Sequence, residues 1–217
     1  METYPMVTAI QIKTYTVDEF LELDLPEGKT YELINGVIVP IAEPSGKHEN
    51  LRSELWFALK SENKRANLGL LIHPQPALVL GRKDTRKPDL IVIEREDWNR
   101  QTQIEAVLRE PPSIAIEIVS TNWEDDYRNK PLWYAAFGVQ ELWIIDPLFH
   151  LDRYPGRRNP KILQPTISVG QLVNSDSILT EKEYRFESFT ESDRIKSQFF
   201  PNLNLTVAEI INFGEGI

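Results

Sequence analysis

The chain has 217 residues, no cysteine, and a formal net charge of −9 from 24 Lys and Arg against 33 Asp and Glu. Lacking thiols, it can form neither disulfides nor zinc–thiolate sites nor a cysteine nucleophile, which fits a reducing cytoplasm. The acidic balance argues against a protein that coats nucleic acid non-specifically, since such proteins are basic. No apolar run nears the ~20 residues needed to cross a bilayer, so no membrane partner is expected.

In chain order, Thr16-Val-Asp-Glu19 has the spacing of a capping box and predicts a short helix to about Leu23. Tyr31–Val39 reads as two strands joined by Asn35-Gly36, a dipeptide that supplies the positive φ angles of a tight hairpin turn. From His48 to Lys64, Leu51, Leu55, Ala58 and Leu59 recur at helical spacing, and His48 opens the same buried face. Residues 70–80 and 89–94 read as strands separated by a charged turn, and 113–119 as a third strand. Asp125 to Phe137 is predicted helical and stopped by Gly138, after which Glu141–Asp146 is a strand ended by Pro147. Short strands are expected between His150 and Val173, and Asn202–Asn212 reads as a strand leading into a short helix. No repeat or linker divides the chain, so one α/β domain over 1–217 is the simplest organisation, with a core at about 16–147 and a C-terminal extension at 148–217.

Several chemistries fail on spacing. His48-Glu49-x-x-Arg52 lacks the second histidine of a helical zinc site, and no Walker loop, nucleophile elbow or internal dinucleotide fingerprint is present. Two positive clusters, Arg82, Lys83, Arg86 and Lys87, then Arg153, Arg157, Arg158 and Lys161, read first as solvated turns and second as a nucleic-acid contact.

Two acids stand out. Asp89 enters an aliphatic strand on the face of Ile91 and Ile93, and Glu117 sits mid-strand beside Ala115 and Val119. A carboxylate there is costly unless paired, protonated or bound to a cation. An ion pair with a nearby Lys or Arg is the plain explanation for either acid alone. Asp126, Lys130 and Tyr134 then fall at i, i+4 and i+8 on one helical face, which offers the Glu117 strand an amine. The competing reading is a surface Asp126–Lys130 pair worth only a few tenths of a kcal/mol.

In this order Tyr31-Glu-Leu-Ile-Asn-Gly36, His48, Pro88-Asp89, Glu117-Ile-Val-Ser120, Asp126-x-x-x-Lys130-x-x-x-Tyr134 and Gly138-Val-Gln-Glu-Leu-Trp-Ile-Ile-Asp-Pro147 resemble the PD-(D/E)XK nuclease superfamily. Within it, the chain is similar to a large bacterial family of restriction-endonuclease-like proteins. The resemblance implies a mixed central β-sheet flanked by helices and hydrolysis of phosphodiester bonds in DNA. It implies Mg²⁺ or Mn²⁺ held by Asp89 and Glu117, with Glu32 near the metal and Lys130 acting on the water or the phosphate. His48 joins the candidates, with a structural hydrogen bond as the alternative. The superfamily's usual lysine position, two residues after the glutamate, is Val119 here, so Lys130 is the replacement amine. Pro131 should kink its helix or leave Lys130 in the first turn. The rival class is a non-catalytic scaffold of the same fold that binds DNA or a protein partner, and a homodimer is left open.

Overall fold

A computed structural model describes residues 13–103, 106–120, 122–147, 164–175 and 181–216. In chain order its elements are α1 (Val17–Leu21), β1 (Tyr31–Ile34), β2 (Val37–Pro40), α2 (Gly46–Ala66), β3 (Leu70–Pro74), β4 (Ala77–Gly81), β5 (Asp84–Arg86), β6 (Leu90–Glu94), α3 (Arg95–Gln101), β7 (Val107–Leu108), β8 (Ile114–Ile118), α4 (Trp123–Phe137), β9 (Glu141–Asp146), β10 (Thr166–Asn174), β11 (Lys182–Thr190) and α5 (Val207–Asn212).

Six of the strands make the central sheet, in the order β11-β10-β9-β8-β6-β3. Only β8 and β9 run parallel, and α4 is the crossover between them, as parallel neighbours require. The other neighbours are antiparallel, which makes the sheet mixed as expected. Strand alternation sorts β8 cleanly. Ile114, Ile116 and Ile118 enter the core beneath α2, whereas Ala115 and Val119 face α4 with Ile91, Ile93, Tyr127 and Tyr134.

Helix α2 forms because Leu51, Leu55 and Leu59 fall four apart and all bury against the sheet. Ser45 caps it by accepting the N–H of His48, and Asn67 ends it in the left-handed conformation at φ 52°. The face of α2 is covered partly by the sheet and partly by Phe200, Leu203, Val207 and Ile210, which come from the other end of the chain. Strands β10 and β11, at 166–190, complete the same sheet.

The β1–β2 hairpin turns at Asn35 and Gly36, at φ 51° and 80°. A side chain at Gly36 would meet Thr14 and the Tyr15 carbonyl at 3.0 Å, so glycine is needed for space as well as for φ. The hairpin is pinned to β5 through the Leu33 N–H to Thr85 and the Gly36 N–H to the Lys83 carbonyl.

Three expectations need correction. Residues 70–80 are two strands, because Gln75 takes φ 47° before Pro76 and sends β4 into a separate three-stranded sheet with β5 and β7. Asn202–Leu205 forms no strand. The chain there makes a turn and a single bridge between Arg194 and Thr206, and Thr206 then caps α5. The basic run at 82–87 is not one solvated turn, because Arg86 ends β5 completely buried. The second basic run, Arg153–Lys161, lies outside the described residues. Among the described residues no helix is long and apolar enough to cross a membrane.

Candidate functional site

The register of β6 against β8 runs Val92 to Ile114, Ile91 to Ala115 and Leu90 to Ile116, so one further step sets Asp89 opposite Glu117. Like charges directly opposite across a strand pair repel, and a cation between them removes the cost. Asp89 is nearly buried, and its Oδ2 accepts the Ile118 N–H at 2.8 Å. Glu117 is 2% exposed and accepts two hydrogen bonds from α4, from Tyr134 Oη at 2.5 Å and from Lys130 Nζ at 2.8 Å. Lys130 also donates to Asp126 Oδ1 at 2.7 Å.

The i, i+4, i+8 stripe thus faces the Glu117 strand, and the Asp126–Lys130 pair is buried rather than at the surface. Pro131 lies inside α4 without ending it, so Lys130 stands in the second turn and not the first. The missing proline N–H removes the bond that the Tyr127 carbonyl would otherwise accept within the helix.

His48 reaches the same place from the first turn of α2. Its Nε2 is 3.2 Å from the Ile118 carbonyl and 3.3 Å from Asp89 Oδ2, while Nδ1 lies 3.6 Å from Glu49 Oε1. Asp89, Glu117, Lys130 and His48 therefore converge at one end of the β6–β8 pair. Glu32, on β1, accepts the Lys87 N–H at 2.8 Å and lies 3.9 Å from Arg86 Nε, and the Lys130 charge reaches it too.

Burial and crowding set the electrostatics. Burial pushes the Glu117 carboxyl up to about 8 against the pull of Lys130, and the charges of Asp89 and Asp126 add to the rise. Asp126 and Glu32 are raised for the same leading reason. Burial alone would favour a neutral Lys130, but Glu117, Asp126 and Asp89 outweigh it and hold the ammonium well above its ordinary range. Desolvation also opposes the charged form of His48, yet Asp89 and Glu49 carry the net shift upward.

Three contributors were not anticipated in these roles. Asp126 is Lys130's second anchor, and Tyr134 clamps the other Glu117 oxygen; the Asp126–Lys130 pairing was visible from spacing, but its burial and the Tyr134–Glu117 bond were not. Arg86 is stacked 3.6 Å over the Trp133 ring and donates to the Leu33 and Thr85 carbonyls, which ties β1 and β5 to α4. No local signal distinguishes it from its exposed neighbours Arg82 and Lys83.

The donor set suits a hard divalent cation. Asp89 and Glu117 offer carboxylate oxygens from adjacent strands, and the Ile118 carbonyl stands beside them, the kind of partial oxygen shell that Mg²⁺ completes with water. Among the described residues, no three His, Asp or Glu side chains are gathered into a group that could hold a metal ion in this arrangement.

Residues 17–208 match the Uma2 family, described as "Putative restriction endonuclease". No curated protein matches the chain. The fold is similar to a crystal structure at 1.96 Å from Anabaena variabilis ATCC 29413, a "putative nuclease belonging to DUF820", with a TM-score of 0.69. That protein is 22% identical, and the likeness covers 92% of this chain and 99% of that one. A match spanning most of the chain, over a mixed sheet flanked by helices, makes this protein a member of the Uma2 family of restriction-endonuclease-like proteins.

Proposed function

We propose that the protein is a metal-dependent nuclease that hydrolyses phosphodiester bonds in DNA, with its site at Asp89, Glu117 and Lys130. The observation that carries this reading is the pair of carboxylates set opposite each other on β6 and β8, with a buried ammonium clamped to one of them. Asp89 and Glu117 would hold Mg²⁺ or Mn²⁺, which when bound supplies charge neutralisation at the phosphate and acidifies water. Lys130, held by Asp126, presents a fixed positive charge where negative charge develops on the phosphate oxygens. His48 orients Asp89 and, when protonated, adds a second positive charge to the site. Glu32 steadies the Lys87 backbone two residues before Asp89 and would act near the cation, through water or at a second ion.

The non-catalytic scaffold has one observation in its favour. Both Glu117 oxygens are already satisfied by protein donors, an arrangement that needs no metal. Calorimetry with Mn²⁺ and cleavage of supercoiled plasmid DNA separate the two readings. The nuclease reading expects a weak site and nicking in the wild type, with both lost in Asp89→Asn and Glu117→Gln while the fold persists. Equal Mn²⁺ binding in all three proteins would sink the assignment.

A further inference from the structure

A groove of about 850 Å³ lies away from the carboxylates, between α2 and the edge strand β3. Its walls include Lys60, Lys64 and Arg95 and no Asp or Glu. In a chain of net charge −9, a groove with three cations and no carboxylate is a local reversal of sign. It also presents aromatic surface. Phe57 is 64% exposed, unusually so for its size, and falls on the same helical face as Lys60 and Lys64. Trp56 is fixed by a 2.9 Å bond from its indole N–H to the Ile72 carbonyl, and Lys60 Nζ lies 4.2 Å above its ring. His73 stacks on Trp98 at 3.6 Å, and its Nε2 is buried without a hydrogen-bond partner.

The groove is connected to the candidate site at both walls. On β3, His73 pairs with Ile91 and Pro74 with Leu90, one residue from Asp89, and the Gln75 N–H bonds the Asp89 carbonyl. On α2, His48 contacts Asp89 while Trp56 to Lys64 follow roughly 12 to 24 Å along the helix axis. Cations spaced along a track beside one exposed aromatic ring, here Phe57, recognise a phosphate backbone whose bases are unpaired, because stacking on a side chain requires an open base face. A duplex would use the cations but not the ring.

We infer that this groove binds a single-stranded stretch of nucleic acid running from the Asp89–Glu117 site, with phosphates on Lys60, Lys64 and Arg95 and a base on Phe57. The inference rests on the nuclease reading for its choice of ligand. A direct test is fluorescence anisotropy of a labelled single strand of about 12 nucleotides in EDTA, with a blunt duplex as competitor. The wild type should bind the single strand in preference to the duplex, with a log–log salt slope near −2, from about 0.7 for each of three phosphate contacts. The double variant Lys60→Glu, Lys64→Glu should lose about tenfold or more in affinity, and Phe57→Ala about tenfold. These side chains are exposed, so unchanged melting temperatures should accompany both losses.

Affinity unchanged by either variant, or tighter binding to the duplex, would overturn the inference. So would a dimer that dissociates in the double variant without any oligonucleotide binding, since the groove would then belong to a second copy. The Asp89→Asn variant separates this from the nuclease reading. If neither it nor the wild type cleaves, yet both bind the strand through the groove, only the nuclease reading fails. If cleavage is metal-dependent but indifferent to Lys60 and Lys64, only the groove fails.

Discussion

Lys130 is hydrogen-bonded to Glu117 and Asp126 at once, and that division of its charge determines what its removal should do. Lys130→Met keeps much of the aliphatic stem but leaves two buried acids without their cation. Metal binding should persist and tighten, because a repelling charge has gone. Cleavage of plasmid DNA should fall by about 10²-fold or more, the scale of removing one preorganised electrostatic group. Cleavage that survives would reduce Lys130 to a structural counter-ion. Arg86 carries a contrasting prediction. Reversing it to Glu would place a second carboxylate beside Glu32 in a site with no solvent access. A loss of about 3–5 kcal/mol in chemical denaturation is expected, typical of breaking a buried charge arrangement. An Arg86→Glu variant as stable as the wild type would mean that the guanidinium is not held as described. The two residues also mark the limit of legibility. Lys130 could be read because an inward stripe recurs every four residues, whereas Arg86 could not, because Trp133 lies far from it in sequence.

At the level of elements, two of the capped helices, α2 and α5, make a matched pair. Ser45 caps α2 three residues before His48, and Thr206 caps α5 through a complete capping box. Replacing either with Ala should cost about 1 kcal/mol of stability. Only Ser45→Ala should weaken Mn²⁺ binding in calorimetry, because it frees the turn that aims His48 at Asp89. Equal effects on the metal from both variants would show that general loosening, not His48, is responsible. Most elements followed from spacing: the Asn35-Gly36 hairpin, the leucine ladder of α2, and the strands around Asp89, Glu117 and Trp143. The break at Gln75 was not read, although Pro74 and Pro76 on either side of it are the kind of residue that interrupts a strand. Nor could alternation along β6 and β8 say which strands neighbour each other, so the Asp89–Glu117 pairing came only from the register.

At the candidate site, four ionisable groups act in concert, while the burial of His73 elsewhere shifts its imidazole the opposite way. Glu117, Asp126, Glu32 and His48 all have folded-state pKa values above their ordinary ones. Between the ordinary and the raised value, the folded chain holds protons that the unfolded chain has lost, so stability falls as pH rises through that window. For Glu117 the window runs from 4.5 to about 8. Lys130 is also raised, but its window begins above its ordinary 10.5 and does not intrude. The metal-free melting temperature should therefore decline from about pH 5 to about pH 8, and Glu117→Gln should flatten the decline. A melting temperature that climbs over this range would contradict the arrangement of the site.

The division of labour around α2 has a consequence for how the protein comes into being. This helix brings His48 to Asp89, yet part of its apolar face is covered by Phe200, Leu203, Val207 and Ile210. Those residues leave the ribosome long after His48 does, and until they arrive the helix has an uncovered flank. Domains fold as units during synthesis, so a nascent chain lacking them would carry the pieces of the candidate site without holding them in place. Assembly of the candidate site therefore waits on residues 200–210, and a chain that stalls before them leaves the helix that carries His48 only partly covered.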